Sequence, residues 1–416
     1  MDNPGYSVKK HDPYEALRFP EFRNFTLARL CITIASQMQA VIVGWQIYEI
    51  TKDPLSLGLI GLAEAIPSII TLFFSGHITD TNDRKKIVLS SVFLMSFCSL
   101  LLLIITTDKI DSIFSHKVIA IYSVIFLSGI GRGFSAPSFF AFVAQLVPKE
   151  TLPNAITWNT STWQTGAVTG PAIGGLLYGF IGGVQTYSVI VIFWALAILL
   201  IFPIKKKPIP ENNSVQSLKE KLTVGLKFVF EKKIILGAIS LDLFAVLFGG
   251  AVALLPIFAG EILFVGPEGL GMLRAAPSIG AVTMALIMTR RPITVNAGRN
   301  LIIGVFGFGI CIIVFGLSKS FTLSLIVLIL SGAFDSISVV VRSTIIQLLT
   351  PDNMKGRVSA VNSIFIGSSN EIGAFESGVT AKLMGTVPSV IFGGTMTILI
   401  VTFVMIVSPR LRRLKL

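Results

Sequence analysis

"SGIGRGFSAP", Ser128 to Pro137, sets an arginine inside an apolar run. "VIAIYSVIFL" precedes it and "SFFAFVAQLV" follows, and Arg132 is the one charged residue from Val118 to Val147. An arginine at a bilayer centre costs roughly 2.5–3.5 kcal/mol on insertion scales, so Arg132 must face protein or water. The same pattern returns 203 residues later: "SGAFD", Ser331 to Asp335, matches "SGIGR" with an aspartate in place of Arg132. With one residue of slip, Gln145-Leu146 falls on Gln347-Leu348, Pro148 on Pro351, Asn159 on Asn362 and Gly170 on Gly373. An earlier block, "GLAEAIPSI" (61–69), recurs as "GMLRAAPSI" (271–279) and sets Arg274 against Glu64. The chain is therefore two homologous halves whose buried charges are inverted.

Composition gives the medium in which these halves fold. The 416 residues are 53% hydrophobic and 13% charged, with mean hydropathy +0.80, where a soluble chain carries about a quarter charged residues. A span needs about 20 mostly apolar residues. Twelve such stretches are read, at 25–49, 55–78, 87–107, 118–147, 155–180, 184–204, 234–263, 267–289, 300–318, 321–349, 357–384 and 387–407. One joint is long and polar, Lys205 to Lys233. The predicted organisation is a cytoplasmic segment (1–24), a six-helix bundle (25–204), a linker with an amphipathic helix (205–233), a second six-helix bundle (234–407) and a basic tail (408–416). The linker helix is expected to lie along the membrane surface. The fold class is all-α membrane protein, with two six-helix bundles related by a pseudo-twofold axis along the membrane normal. That is a transporter architecture with its path between the halves.

Loop charge predicts the orientation. On the side of the termini the loops carry nearly all the Lys and Arg outside the spans, against Lys52, Lys109, Lys117 and Lys319 on the other. Both termini are therefore placed in the cytoplasm, and the net charge of +12 faces the anionic inner leaflet without need of a nucleic-acid partner. The first 24 residues lack an apolar h-region, which argues against a cleavable signal peptide. Cys31, Cys98 and Cys311 lie in apolar runs, with neither a disulfide framework nor metal-ligand spacing. The chain has no Gly-Lys pair for a phosphate loop and no HExxH or GxSxG, so neither an ATP-driven pump nor an enzyme is indicated, and no cofactor is expected.

Two motifs carry a resemblance. "GHITDTNDRKK", Gly76 to Lys86, joins the second and third spans, and "GAVTGPAIGG", Gly166 to Gly175, lies in the fifth. Gly166, Gly170 and Gly174 share one helix face and permit close approach, while Pro171 bends the helix. These motifs resemble the loop pattern and the exporter glycine-proline element of the major facilitator superfamily. Thr81 and Asp83 depart from the loop pattern, so its gate-latch role carries over for Gly76, Asp80 and Arg84. "LRFPEFRNFTLARL" (17–30), "VPKETLPNAITWN" (147–159) and "SSNEIGAFESG" (368–378) are similar to the branch that includes the enterobactin exporter and proton-driven drug exporters. The resemblance implies a proton-coupled exporter of an amphipathic small molecule, siderophore or drug-like, in the bacterial inner membrane and acting as a monomer. Uptake on the same fold, or a non-transporting receptor, stays open.

Seven ionisable residues fall well inside spans: Glu64, Arg132, Asp242, Arg274, Asp335, Glu371 and Glu376. In the superfamily, spans one, four, seven and ten line the cavity. The resemblance thus implies Arg132, Asp242 and Asp335 for substrate and proton chemistry, with Arg132 and Asp335 as a candidate pair. Glu64, Arg274, Glu371 and Glu376 are expected to form gating ion pairs between the halves. Arg29, Arg342 and Lys382 are read as anchors near span ends. Trp158 and Trp163 are read as packing or interface residues, with a ligand-facing role open.

Overall fold

The computed structural model describes residues 12–107, 116–208, 218–290, 296–351, 354–412 and 414. Among the described residues, ten helices are long and apolar enough to cross a membrane. They are α1 (Pro20–Thr51), α2 (Pro54–Thr81), α3 (Arg84–Thr106), α4 (Lys117–Val143), α6 (Gly183–Ile201), α7 (Lys233–Ile262), α8 (Gly266–Arg290), α9 (Ala297–Leu317), α10 (Phe321–Leu349) and α12 (Thr386–Val407). Two more, α5 (Leu152–Ile181) and α11 (Lys355–Met384), have 30 residues each, diluted with Gly, Ser, Thr and Asn. These two are counterparts in the repeat, and both lie where the bundles meet: α5 packs on α8, and α11 on α2. A helix that packs between two bundles need not be apolar all round, so hydropathy is not what selects it.

The two sequence blocks that revealed the repeat are each other's packing partners. In the first bundle a Cβ at Gly129 of α4 would stand 2.7 Å from Cγ of Pro67 on α2. In the second, a Cβ at the counterpart Gly332 of α10 would stand 2.6 Å from Cα of Pro277 on α8. Both blocks recur because each needs the other's small residue at one crossing. The turns recur too: Gly182 (φ 82°) leads α5 into α6, and Gly385 (φ 94°), 203 residues on, leads α11 into α12. Both sit in the left-handed region that glycine enters without a Cβ clash. The single residue of slip in the alignment has a local cause: α4 ends at Val143 and turns through 144–147, whereas its counterpart α10 runs on to Leu349. The expected fourth span, 118–147, is shortened accordingly.

The seventh span, expected at 234–263, runs over Lys233–Ile262 but is irregular inside: its α-helix ends at Phe248, a 3-10 turn covers Ala251–Leu254 and a π-helical turn Phe258–Ile262. The break lies at Gly249-Gly250, where a Cβ at Gly250 would meet the Gly373 carbonyl of α11 at 2.6 Å. The linker helix (Leu218–Glu231) is also packed against protein. Val229 is buried with Ile235, Ile239, Ile346, Val358 and Val361, and Gly225 fits against the Arg357 carbonyl, so the helix is docked on the second bundle. Glu21 at the start of α1 grips the first turn of the linker, accepting from the Lys205 amide and pairing with Lys207.

Candidate functional site

The terminal face carries the N-terminal segment, the linker and the chain end; the opposite face is called distal. Contacts between the bundles fall toward the distal half. A Cβ at Gly378 would come within 2.8 Å of Cα of Gly58, and one at Gly175 within 2.6 Å of Cα of Gly271. Lys382 of α11 donates to Asp53 of the α1–α2 turn at 2.7 Å, and Tyr48 of α1 donates to Glu261 of α7 at 3.2 Å. Lys382 is thus a clasp between bundles, where the sequence suggested an anchor.

At mid-depth four charges from four helices converge. Glu64 lies about 15 Å in from Pro54, and Arg132 about 22 Å in from Lys117, at 1.5 Å per residue. Side chains lean toward the helix N-terminus, which carries Arg132 back toward Glu64. Arg132 Nη1 is 2.8 Å from Glu64 Oε1 in its own bundle and 3.6 Å from Glu371 Oε1 of α11 in the other. Arg274 of α8 crosses the other way and donates to the Ala40 carbonyl of α1 at 3.1 Å, within electrostatic reach of both Glu64 and Glu371. Gly61 leaves the room that this needs, since a Cβ there would stand 3.3 Å from Glu371 Oε2. The sum of formal charges is zero, with each bundle supplying one acid and one arginine. Arg132 is nevertheless 55% exposed, so an interior cation meets open space and not a packed wall.

This corrects the expected pairing of Arg132 with Asp335. Their helices are equivalent by repeat, but Arg132 is taken by two glutamates, and Asp335 makes no ion pair or hydrogen bond among the described residues. The alignment found the inverted charges but could not say which helices touch. Asp242 is not open either. It pairs with Arg342 of α10 and accepts a hydrogen bond from Ser338 at 3.3 Å. Arg342, read as an anchor, is 2% exposed and Asp242 4%, which makes this a sealed pair inside one bundle. Glu376 has no ion-pair partner among the described residues.

The motif residues do local work. Arg84 donates to the Ala141 carbonyl at the end of α4 at 2.9 Å, and Asp83, the departure from the family pattern, caps α3 by accepting from the Lys85 amide at 3.0 Å. The side-chain surroundings of Gly76, His77 and Asp80 lie outside the described residues. Gly166, Gly170 and Gly174 face α1: a Cβ would meet Thr33, Gln37 and Met38 at 2.7, 2.7 and 2.9 Å, with Pro171 buried on the same helix. Trp158 donates to the Pro13 carbonyl at 2.9 Å and stacks with Tyr14, so it straps the N-terminal segment to α5. Trp163 is exposed.

Comparison with known proteins agrees with this architecture. The profile of the family described as transmembrane secretion effector matches residues 11–415. The chain is 24% identical to the enterobactin exporter EntS of Escherichia coli O1:K1 / APEC over 398 residues, 95% of this chain and 94% of that one. The same protein from Shigella boydii serotype 18 matches with the same identity and coverage. Among solved structures, a D-xylose-proton symporter superposes with TM-score 0.74 at 13% identity, covering 96% of this chain and 100% of that one. A bacterial homologue of the iron transporter ferroportin gives 0.72 at 16%, covering 94% and 98%.

Proposed function

Because the chain belongs to the transmembrane secretion effector family of the major facilitator superfamily, we propose that it exports an amphipathic small molecule in exchange for protons, by alternating access. The positive-inside bias supports placing the terminal face in the cytoplasm of a bacterial inner membrane. The bundles are then closed on the distal, outer side and parted toward the cytoplasm, the state that receives a substrate for export. Similarity to an enterobactin exporter favours a siderophore over a drug-like compound.

One observation carries the reading: Arg132 is half-exposed yet shared between Glu64 of one bundle and Glu371 of the other. An anionic group on the substrate competes with Glu371 for the guanidinium, and taking it away loosens a tie between the bundles. Arg274 and Glu64 hold the rest of the cluster near neutrality while the partner changes. Asp335, without a partner, is the assigned proton site, since a carboxylate in a partly dry setting readily exists in either protonation state.

The same charge balance favours a second reading. When an anion displaces Glu371, the freed carboxylate gains from taking up a proton, which would move anion and proton in the same direction. Flux in proteoliposomes with imposed pH gradients separates the two. Exchange predicts that efflux of the test compound from the cytoplasmic-side compartment is driven by acid on the opposite side. Acceleration by acid on the compound's own side would replace export by exchange with co-transport. No gradient-dependent flux for any acidic siderophore, in protein shown to be folded, would remove the transport reading.

A further inference from the structure

Two positions occupied by opposite chemistry in the two bundles point to a ligand site. The unslipped register of α4 on α10 sets Phe139 against Arg342, as it sets Arg132 against Asp335. In the second bundle the α7 residue lying on that position is Asp242, and it makes the sealed pair. In the first bundle the α1 residue lying on it is Arg29, whose guanidinium carbon sits 4.5 Å from the centre of the Phe139 ring. The crossing has been built twice: once as carboxylate against arginine, once as arginine against phenyl.

The second version is incomplete as electrostatics. Arg29 has no acid and no hydrogen-bond acceptor among the described residues, and its Nε is buried without a partner. Arg342 also leaves Nε unpaired, but Asp242 satisfies its charge. A ring face offsets only part of the desolvation of a half-buried cation and supplies no counter-charge. Phe139 is almost fully buried and Phe25 stacks edge-on against it, so no solvent replaces the missing anion from the ring side.

We infer that Arg29, seated on Phe139, is a binding site for a planar, bidentate oxyanion of a transported solute, a carboxylate first of all. The fork of a guanidinium matches a carboxylate through two parallel N–H donors. The site lies about 13 Å in from Pro20 at 1.5 Å per residue, between the terminal face and the Arg132 cluster. A solute entering from that face meets Arg29 before Arg132. The inference rests on the transport reading for where the anion comes from, but its test is equilibrium binding and needs no flux.

The probe is 1-naphthoate, with neutral 1-naphthamide as its isostere, titrated against the full-length protein in phosphatidylcholine nanodiscs. The expected result is preference for the acid, and loss of that preference with at least tenfold weaker naphthoate binding in Arg29→Gln. A double change, Arg29→Asp with Phe139→Arg, transplants the sealed pair of the second bundle and should fold while losing the site. It keeps the test decisive if Arg29→Gln does not fold. Unchanged naphthoate binding in either folded variant, with loss in Arg132→Gln, overturns the inference and leaves the transport reading standing. Displacement of naphthoate by phosphatidylglycerol added to the nanodisc assigns the anion site to a lipid headgroup and overturns it as well.

Discussion

Asp242 and Arg342 form an ion pair that water does not reach, while Arg132 holds two glutamates and is still more than half exposed. Both groups lie inside the helical bundle, and both are electrically balanced. They differ in what crosses between domains. The sealed pair joins α7 to α10 within one rigid unit, where desolvation is repaid only by perfect pairing. The open cluster joins α2, α4, α8 and α11 across the seam, and so its partners can be exchanged when the bundles move. A buried charge in this protein signals stability or function according to whether its helices belong to the same bundle.

The largest effect is expected from breaking the sealed pair. Asp242→Asn leaves Arg342 uncompensated and should cost about 3–5 kcal/mol, read as a large fall in melting temperature in detergent. Replacing both, Asp242→Leu with Arg342→Met, should restore most of that loss. If the single change is as stable as the original, the pair is not sealed and the contrast fails.

Arg132→Gln is the sharper probe of the open cluster. Loss of one arginine from a half-exposed group should cost roughly 1 kcal/mol of stability or less, yet flux should fall by about a hundredfold. Equal losses in stability for Arg132→Gln and Asp242→Asn would show that exposure does not separate the two groups. Glu371→Gln should leave folding nearly intact and shift the bundles toward separation on the distal side, seen as a longer distance between spin labels at positions 57 and 383.

The smallest effect concerns the distal clasp of Asp53 and Lys382. Burial raises the pKa of Asp53, and the hydrogen bonds from Lys382 and Ser56 outweigh it, so the net shift is downward. A depressed carboxylate contributes above its unfolded pKa of about 3.9 and loses that contribution as pH falls through the lower folded value. With Lys382 56% exposed, the clasp contributes less than about 1 kcal/mol. The Asp53→Asn variant should match the original in label distance below about pH 3 and differ from it slightly above pH 5. A constant difference across that range would exclude the clasp.

Much of this was legible in the residues. The repeat offset identified the two matched blocks and the opposed charges at Glu64 and Arg274, which do fall in one cluster. The glycine face of α5 was also readable, since three small residues at one helical face have no other packing use. The partners of the charges were not. Arg132 and Asp335 match in register, but repeat symmetry relates positions that need never touch. Arg342 and Arg29 looked like anchors because distance from a span end was the sole measure of depth, and it says nothing about which way the side chain turns.

Sequence by itself determined the medium, the doubled bundle and the list of charges that must be kept from lipid, because composition and periodicity act through free energies of transfer that are local to each helix. Tertiary structure alone decided that Arg132 is shared across the seam, that Asp242 is sealed, and that Arg29 rests on a ring where its counterpart Asp242 meets an arginine. Those outcomes depend on distances between side chains hundreds of residues apart, and Coulomb energy in a low-dielectric interior changes with every ångström of them.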